Sequence, residues 1–265
     1  MKLPLSDAFR KLLKTGDNSR LLFSGQSLFG PVDGRKAGDR GELRTGEGHL
    51  QSATSLTGKI TGSVWDYYLA APAFLPGGHN LHTVCLLGLG VGTAAKLYNK
   101  IFSPRRIVGV EVDPVIIDLG RKYFSLNDEN LEIVCADAGE FIATTGEKFD
   151  LIIVDTFKQD CFADNCDHSN FYDSCREHLN PGGVVVVNRA TTKKQKEANL
   201  QFRKDIIKIF PQIYTLAVHW NTFYFGLSEP LGRDIVLGRL KTLGESKNLS
   251  FLRELNPDSL QSVSC

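Results

Sequence analysis

Methionine is nearly missing from this 265-residue chain, which has Met1 alone, and tryptophan occurs only twice. Long apolar runs are missing too. No window approaches the roughly 18 apolar residues that a membrane-spanning helix needs, so no membrane association is expected. The opening Met1-Lys2-Leu3-Pro4-Leu5-Ser6-Asp7 lacks the continuous apolar stretch of a secretory signal. Neither sign of charge is in surplus: 31 basic residues stand against 30 acidic ones, a formal net charge of +1. That balance argues against a general nucleic-acid binder, whose footprint is a basic excess. Six cysteines spread over a chain this long exclude a disulfide-stapled scaffold. Cys85 and Cys135 lie inside apolar runs, where a thiol behaves as a small buried hydrophobe. A reducing cytoplasm is the expected setting. No internal repeat is present.

What is there divides into three stretches: 1–76, 77–243 and 244–265. From Arg20 to Gln51, short extended runs between glycines point to a small antiparallel hairpin or meander, with Gly46-Glu47-Gly48 as a turn. Val64, Tyr67, Tyr68, Ala71 and Phe74 recur at helical spacing, and Pro72 should perturb the last turn of that helix. From His82 onward, short β-branched runs alternate with amphipathic segments. The runs are Val84–Leu87, Ile107–Val110, Leu131–Val134, Leu151–Val154 and Val184–Val187. This alternation implies a parallel sheet covered on both faces. Ile213–Val218 and Thr222–Leu227 are separated by three residues only, so they must pair antiparallel. The expected fold is therefore α/β, with a seven-stranded, Rossmann-like, mostly parallel sheet behind a small N-terminal β-domain. The stretch from Gly244 is Ser-rich and reads as a tail.

The chemistry concentrates at the ends of the apolar runs. Gly88-Leu89-Gly90-Val91-Gly92 follows the first run and opens a helix, which favours a ligand lying close to backbone at a helix N-terminus. The second run ends at Glu111, about 20 residues beyond the glycines, where a carboxylate can accept two hydrogen bonds from a ribose diol. The third ends at Ala136-Asp137-Ala138 and the fourth at Asp155-Thr156-Phe157. Open α/β sheets bind ligands beyond the carboxyl ends of their strands. Four consecutive strands thus deliver Gly, Glu, Asp and Asp to one rim.

These motifs resemble class I S-adenosylmethionine-dependent transferases, and more closely the spermidine synthases (polyamine aminopropyltransferases) and their spermidine-synthase-like relatives. The stretch holding Arg44, Gly48-His49-Leu50-Gln51-Ser52 and Tyr67-Tyr68 is similar to that family's N-terminal β-domain. The resemblance implies aminopropyl transfer from decarboxylated S-adenosylmethionine to a small cationic amine, without a metal, in a homodimer. It also implies roles. Glu111 would hold the ribose, Asp137 and Ala138 the adenine edge, and Asp155 the amino group of the methionine-derived arm. Gln51 would reach the same nucleotide from the N-terminal domain. Gly88, Gly90, Gly92, Val112 and Thr156 complete the expected nucleotide site.

One position departs from the pattern. The family run Asp-Ser/Thr-Ser/Thr-Asp ends in an aspartate that deprotonates the attacking amine, whereas this chain reads Asp155-Thr156-Phe157-Lys158. Asp160 is then the candidate to supply the missing base, beside Asp155 in catalysis. Lys158 would also suit a methyltransferase, pairing with the carboxylate of intact S-adenosylmethionine. A non-catalytic nucleotide-binding relative is the third reading. Residues 155, 160, 164, 167 and 173 are acidic against Lys158 alone, which reads as an acidic lid suited to a polyamine or as a solvated polar loop. Arg189, Lys193, Lys194, Lys196, Arg203, Lys204 and Lys208 form a basic segment, read as a solvated helix face. Cys161, Cys166, His168, Cys175 and His178 raise the question of zinc. Cys175 and His178 fall on a helix expected to pack against the sheet, so no metal is expected.

Overall fold

The computed structural model describes residues 19–46, 48–76, 81–158 and 161–263. Strands β1 (Arg20–Ser27), β2 (Gly30–Ala37), β3 (Arg40–Thr45) and β4 (His49–Ser55) form an antiparallel meander in the order β1-β2-β3-β4. The turns are set by glycines at positive φ, among them Gly30 and Gly38. Val32 and Leu43 project from the inner face of this meander onto Ile116, Leu119 and Phe124.

Helix α1 (Val64–Phe74) is wound as 3₁₀, with Pro72 inside it. Proline removes an N–H that an α-helix would need, and the segment compensates through burial. Tyr68 through Phe74 are all buried, so the helix is apolar all round rather than along one stripe. Asp66 secures its start by accepting from the N–H groups of Thr61, Gly62 and Ser63. Phe74 stacks on Phe225 at 4.2 Å, and the Tyr98 hydroxyl donates to the Tyr68 carbonyl.

The remaining elements build one large sheet. They are β5 (Thr83–Leu87), α2 (Thr93–Ile101), β6 (Arg106–Glu111), α3 (Pro114–Tyr123), β7 (Leu131–Cys135), α4 (Ala138–Thr144) and β8 (Phe149–Val154). A small hairpin of β9 (Phe157–Lys158) and β10 (Cys161–Phe162) follows, then α5 (Ser169–Glu177), β11 (Leu179–Ala190) and α6 (Lys196–Ile209). Last come β12 (Gln212–Val218), β13 (Asn221–Leu227), α7 (Arg233–Ser246), α8 (Ser250–Arg253) and β14 (Leu260–Val263). The sheet order is β14-β12-β13-β11-β8-β5-β6-β7. From β11 to β7 the neighbours are parallel; β13, β12 and β14 are antiparallel to theirs.

The sheet therefore has eight strands rather than seven. Residues expected to trail as a tail instead close α7 and pair β14 with β12, from Ile213↔Val263 to Leu216↔Leu260. Leu260 and Val263 are buried while Gln261 and Ser262 face out, a polar-rich pattern that hides a short edge strand in a Ser-rich text. The chain moves from β5 to β6 and β7 on one side, then returns to β8 on the other. That reversal is the switch point, where a crevice opens beyond the strand ends.

Candidate functional site

A cavity of about 860 Å³ opens at this switch point, between the large sheet and the meander. Gly88, Gly90, Glu111, Val112, Asp137, Ala138, Asp155 and Thr156 line it from the strand ends, and Gln51 from β4. Gly92 does not. It stands at the N-cap of α2 with φ +86°, and a side chain there would run into Leu126, so its part is to start the helix. Asp160, a candidate base, lies outside the described residues.

One half of the cavity is organised by carboxylates. Glu111 Oε2 accepts from the Gly90 N–H at 2.8 Å and Oε1 from the Asp113 N–H at 3.1 Å. Burial raises its pKa, and the backbone donors work against that rise. Asp113 caps α3 through the Val115 N–H at 2.9 Å and also accepts from the Leu28 N–H at 2.8 Å. The β1–β2 turn is thereby tied to the rim, where Leu28 and Phe29 form part of the wall. Asp137 Oδ1 caps α4 through Gly139 N–H at 2.8 Å, and Oδ2 accepts from Asn165 Nδ2 at 2.5 Å.

Asp155 anchors the other half. It is half-buried just past the end of β8, its N–H donates to the Leu87 carbonyl, and desolvation raises its pKa. Asn221 Nδ2 donates to Asn188 Oδ1 at 2.8 Å, and Asn188 Nδ2 donates to Asp155 Oδ1 at 2.9 Å. The first bond fixes which way the Asn188 amide points, so the second must present an N–H to the carboxylate. Tyr68 and Trp65 lie against the same group. Among the described side chains, which do not include that of Lys158, no lysine or arginine pairs with Asp155. A desolvated carboxylate that faces a cavity is matched to a positively charged ligand.

Asn188, Asn221 and Trp65 were not singled out from the sequence, and Tyr68 entered only through helical spacing and the resemblance. Asn188 ends the run Val184–Val187 just as Asp155 ends its own, and the strand-end rule would have found it. The acidic stretch resolves unevenly. Asp155 and Asp164 line the cavity, Asp173 is exposed on α5, and Asp167 pairs with Arg189 at 2.7 Å. Lys193, Lys194 and Lys196 are exposed, but Arg189 is buried, not part of a solvated face.

The cysteine and histidine group scatters. His178 contacts the Ser174 and Thr145 carbonyls, His168 caps α5, and burial pushes the Cys166 thiol up to about 12. Among the described residues, no three His, Cys, Asp or Glu side chains are grouped to hold a metal ion. Nor is any helix among them long and apolar enough to cross a membrane.

Comparison with known proteins places these features. Residues 75–228 match the family model described as the spermine/spermidine synthase domain. Over 171 residues the chain is 32% identical to a probable polyamine aminopropyl transferase of Bifidobacterium longum, covering 64% of this chain and 37% of that protein. It is 30% identical over 154 residues to a polyamine aminopropyltransferase of Buchnera aphidicola, covering 56% and 54%. These matches span between about a third and about half the length of the two relatives. In fold it is similar to a probable spermidine synthase from Corynebacterium glutamicum, with TM-score 0.71 and 16% identity over 85% of this chain and 88% of that one.

Proposed function

The chain belongs to the spermine/spermidine synthase domain family, and on that premise we propose that its cleft moves an aminopropyl group from decarboxylated S-adenosylmethionine to a small polyamine. The observation that carries this reading is Asp155, a desolvated carboxylate that faces the cavity at the switch point, held by Asn188. In the reaction, the acceptor nitrogen forms a C–N bond to the propyl carbon as the C–S bond breaks, the electron pair returns to sulfur, and the nitrogen sheds a proton.

This chain's residues divide the work. Glu111, held by the Gly90 and Asp113 N–H groups, receives the ribose hydroxyls. Asp137 and Ala138 face the adenine, and Gln51 reaches it from β4. Asp155 holds the amino end of the transferring arm and orients the incoming amine, a positioning task that accounts for much of such catalysis. Asn188 and Asn221 keep its oxygens pointing at the ligand. Asp160 is the proposed proton acceptor. We attach a cytoplasmic homodimer, and the division into 1–76 and 77–243, to the same reading.

Incubation with decarboxylated S-adenosylmethionine and putrescine tests it directly. Release of 5′-methylthioadenosine together with spermidine is the expected result. Release of S-adenosylhomocysteine from the intact donor instead, or no turnover with any diamine, would overturn it.

The pH profile gives a second test. Burial raises the Asp155 pKa and the Asn188 donation lowers it, so Asn188→Leu raises it further. Because the ionised form is the one that holds an ammonium, kcat/KM falls as the pH drops through this pKa. The acid limb of the Asn188→Leu profile is expected at higher pH than that of the parent; coincident limbs would separate Asn188 from Asp155. Stability has the opposite sign. A carboxyl whose native pKa is raised costs stability in full above that native value; the cost shrinks as pH falls through it and is gone below the unfolded pKa.

A further inference from the structure

Arg189 is the most deeply buried cation among the described residues, with 1% of its surface exposed. Burying a guanidinium is costly unless its fork is fully engaged. Here it is engaged on every side. Nη1 and Nη2 donate to the two Asp167 oxygens at 2.7 and 3.0 Å, and Nε donates to Asn199 Oδ1 at 2.9 Å. Its flat faces lie 4.4 Å from the Phe162 ring centroid and 4.7 Å from that of Phe202. Asn199 is held in turn, donating to the Ala190 carbonyl at 2.8 Å.

The placement of these partners matters more than their number. Phe162 and Asp167 bracket the residues 163–166, and all four of those line the cavity beside Asp137, to which Asn165 donates. One arginine on β11 therefore grips both ends of the short segment that covers this end of the cleft. Between the grips, the Ala163 N–H donates to the Thr156 carbonyl and Asn165 donates to Asp137. Arg189 itself does not line the cavity.

We propose that Arg189 is a positioning residue for the nucleotide: by clamping Phe162 and Asp167 it fixes residues 163–166 against the adenine, and so sets donor affinity without touching the donor. The assignment rests on the nucleotide reading given above. Asn188 and Arg189 are neighbours on β11, so one strand end orients the acceptor side through Asp155 and the donor side through this clamp.

Titration calorimetry with 5′-methylthioadenosine, which carries the adenosine common to either sulfonium donor, provides the test. Arg189→Met and Asp167→Asn are each expected to weaken binding roughly 10–100-fold, the scale of a small misplacement in a preorganised site. The double variant should be no worse than the weaker single, because both remove one bridge. Arg189→Lys, which keeps the charge but loses the fork, should fall between parent and Arg189→Met, and it serves if the methionine variant does not fold. Leu243→Ala, in the α7 core away from the cleft, is the control for lost stability and should bind as the parent does. In steady state, KM for the donor should rise in the clamp variants while KM for the acceptor stays put. Parent-like affinity in folded Arg189→Met, or an equal loss in Leu243→Ala, would reduce the clamp to a structural role. Failure of the parent itself to bind 5′-methylthioadenosine would instead overturn the nucleotide reading, and this assignment with it.

Discussion

Asp155→Asn is expected to cut turnover by about 10²–10⁴-fold, the range typical for losing a positioned acid–base group, while leaving the protein at least as heat-stable as the parent. The two halves of this expectation have one cause. Desolvation is the largest influence on the carboxylate's pKa, so its charge opposes folding. An amide of the same shape removes that cost and still meets Asn188 after a local flip. It cannot hold an ammonium. Binding of 5′-methylthioadenosine, which lacks the transferring arm, should change less than tenfold, since Glu111 and Asp137 are untouched. Release of that product from decarboxylated S-adenosylmethionine and putrescine gives the rate, and thermal unfolding gives the stability. A variant within threefold of the parent rate would remove Asp155 from the mechanism. A variant with both activity and stability lost would make Asp155 a structural group.

Much of this was legible because the relevant signals are local. Each parallel strand announces itself as a β-branched run, and each ends in the residue that meets the cleft: Gly88, Glu111, Asp137, Asp155. The antiparallel β12–β13 pair followed from a connection too short for anything else, read as three residues and in fact two, His219 and Trp220. Illegible features depended on distant partners. β14 is four residues with two polar side chains, and only its register on β12 makes it a strand. The 3₁₀ winding of α1 comes from burial between the sheet and its covering helices, whereas the periodicity of Val64 to Phe74 reads simply as helix. Arg189 looks like one more charge in a basic segment. Its burial follows from β11 carrying it inward between Phe162 and Phe202, residues 40 positions apart in sequence. The acidic stretch misled in the same way, since Asp167 answers Arg189 rather than a ligand.

Gly88→Ala is expected to damage the fold and the cleft together, and Gly90→Ala only the cleft. At Gly88 a Cβ would sit 2.4 Å from the Asp155 carbonyl oxygen and 2.8 Å from its carbon. Neither backbone atom has room to retreat. Gly88 is bonded to the Val110 carbonyl at 3.0 Å and Asp155 to the Leu87 carbonyl at 2.9 Å, so three adjacent strands hold the two ends in place. The residue also sits at φ +92°, where a side chain is strained. Strain and overlap together cost about 2–5 kcal/mol, or a melting temperature lower by roughly 5–15 °C for a domain of this size. Any relief must push β5 and β8 apart at the switch point, which displaces Asp155 as well. Nucleotide binding and turnover should therefore fall alongside stability. Gly90 lies two residues on with φ +55°, and no heavy atom comes within 4 Å of a Cβ placed there. Only the backbone strain remains, about 1 kcal/mol, and the new methyl is added to the glycine loop that lines the cavity and donates to Glu111. Its melting temperature should fall by no more than a few degrees while 5′-methylthioadenosine binds at least tenfold more weakly, the loss of about one hydrogen bond to a charged group. Equal melting temperatures for the two variants would mean that β5 and β8 do not meet as closely as the 2.4 Å approach requires.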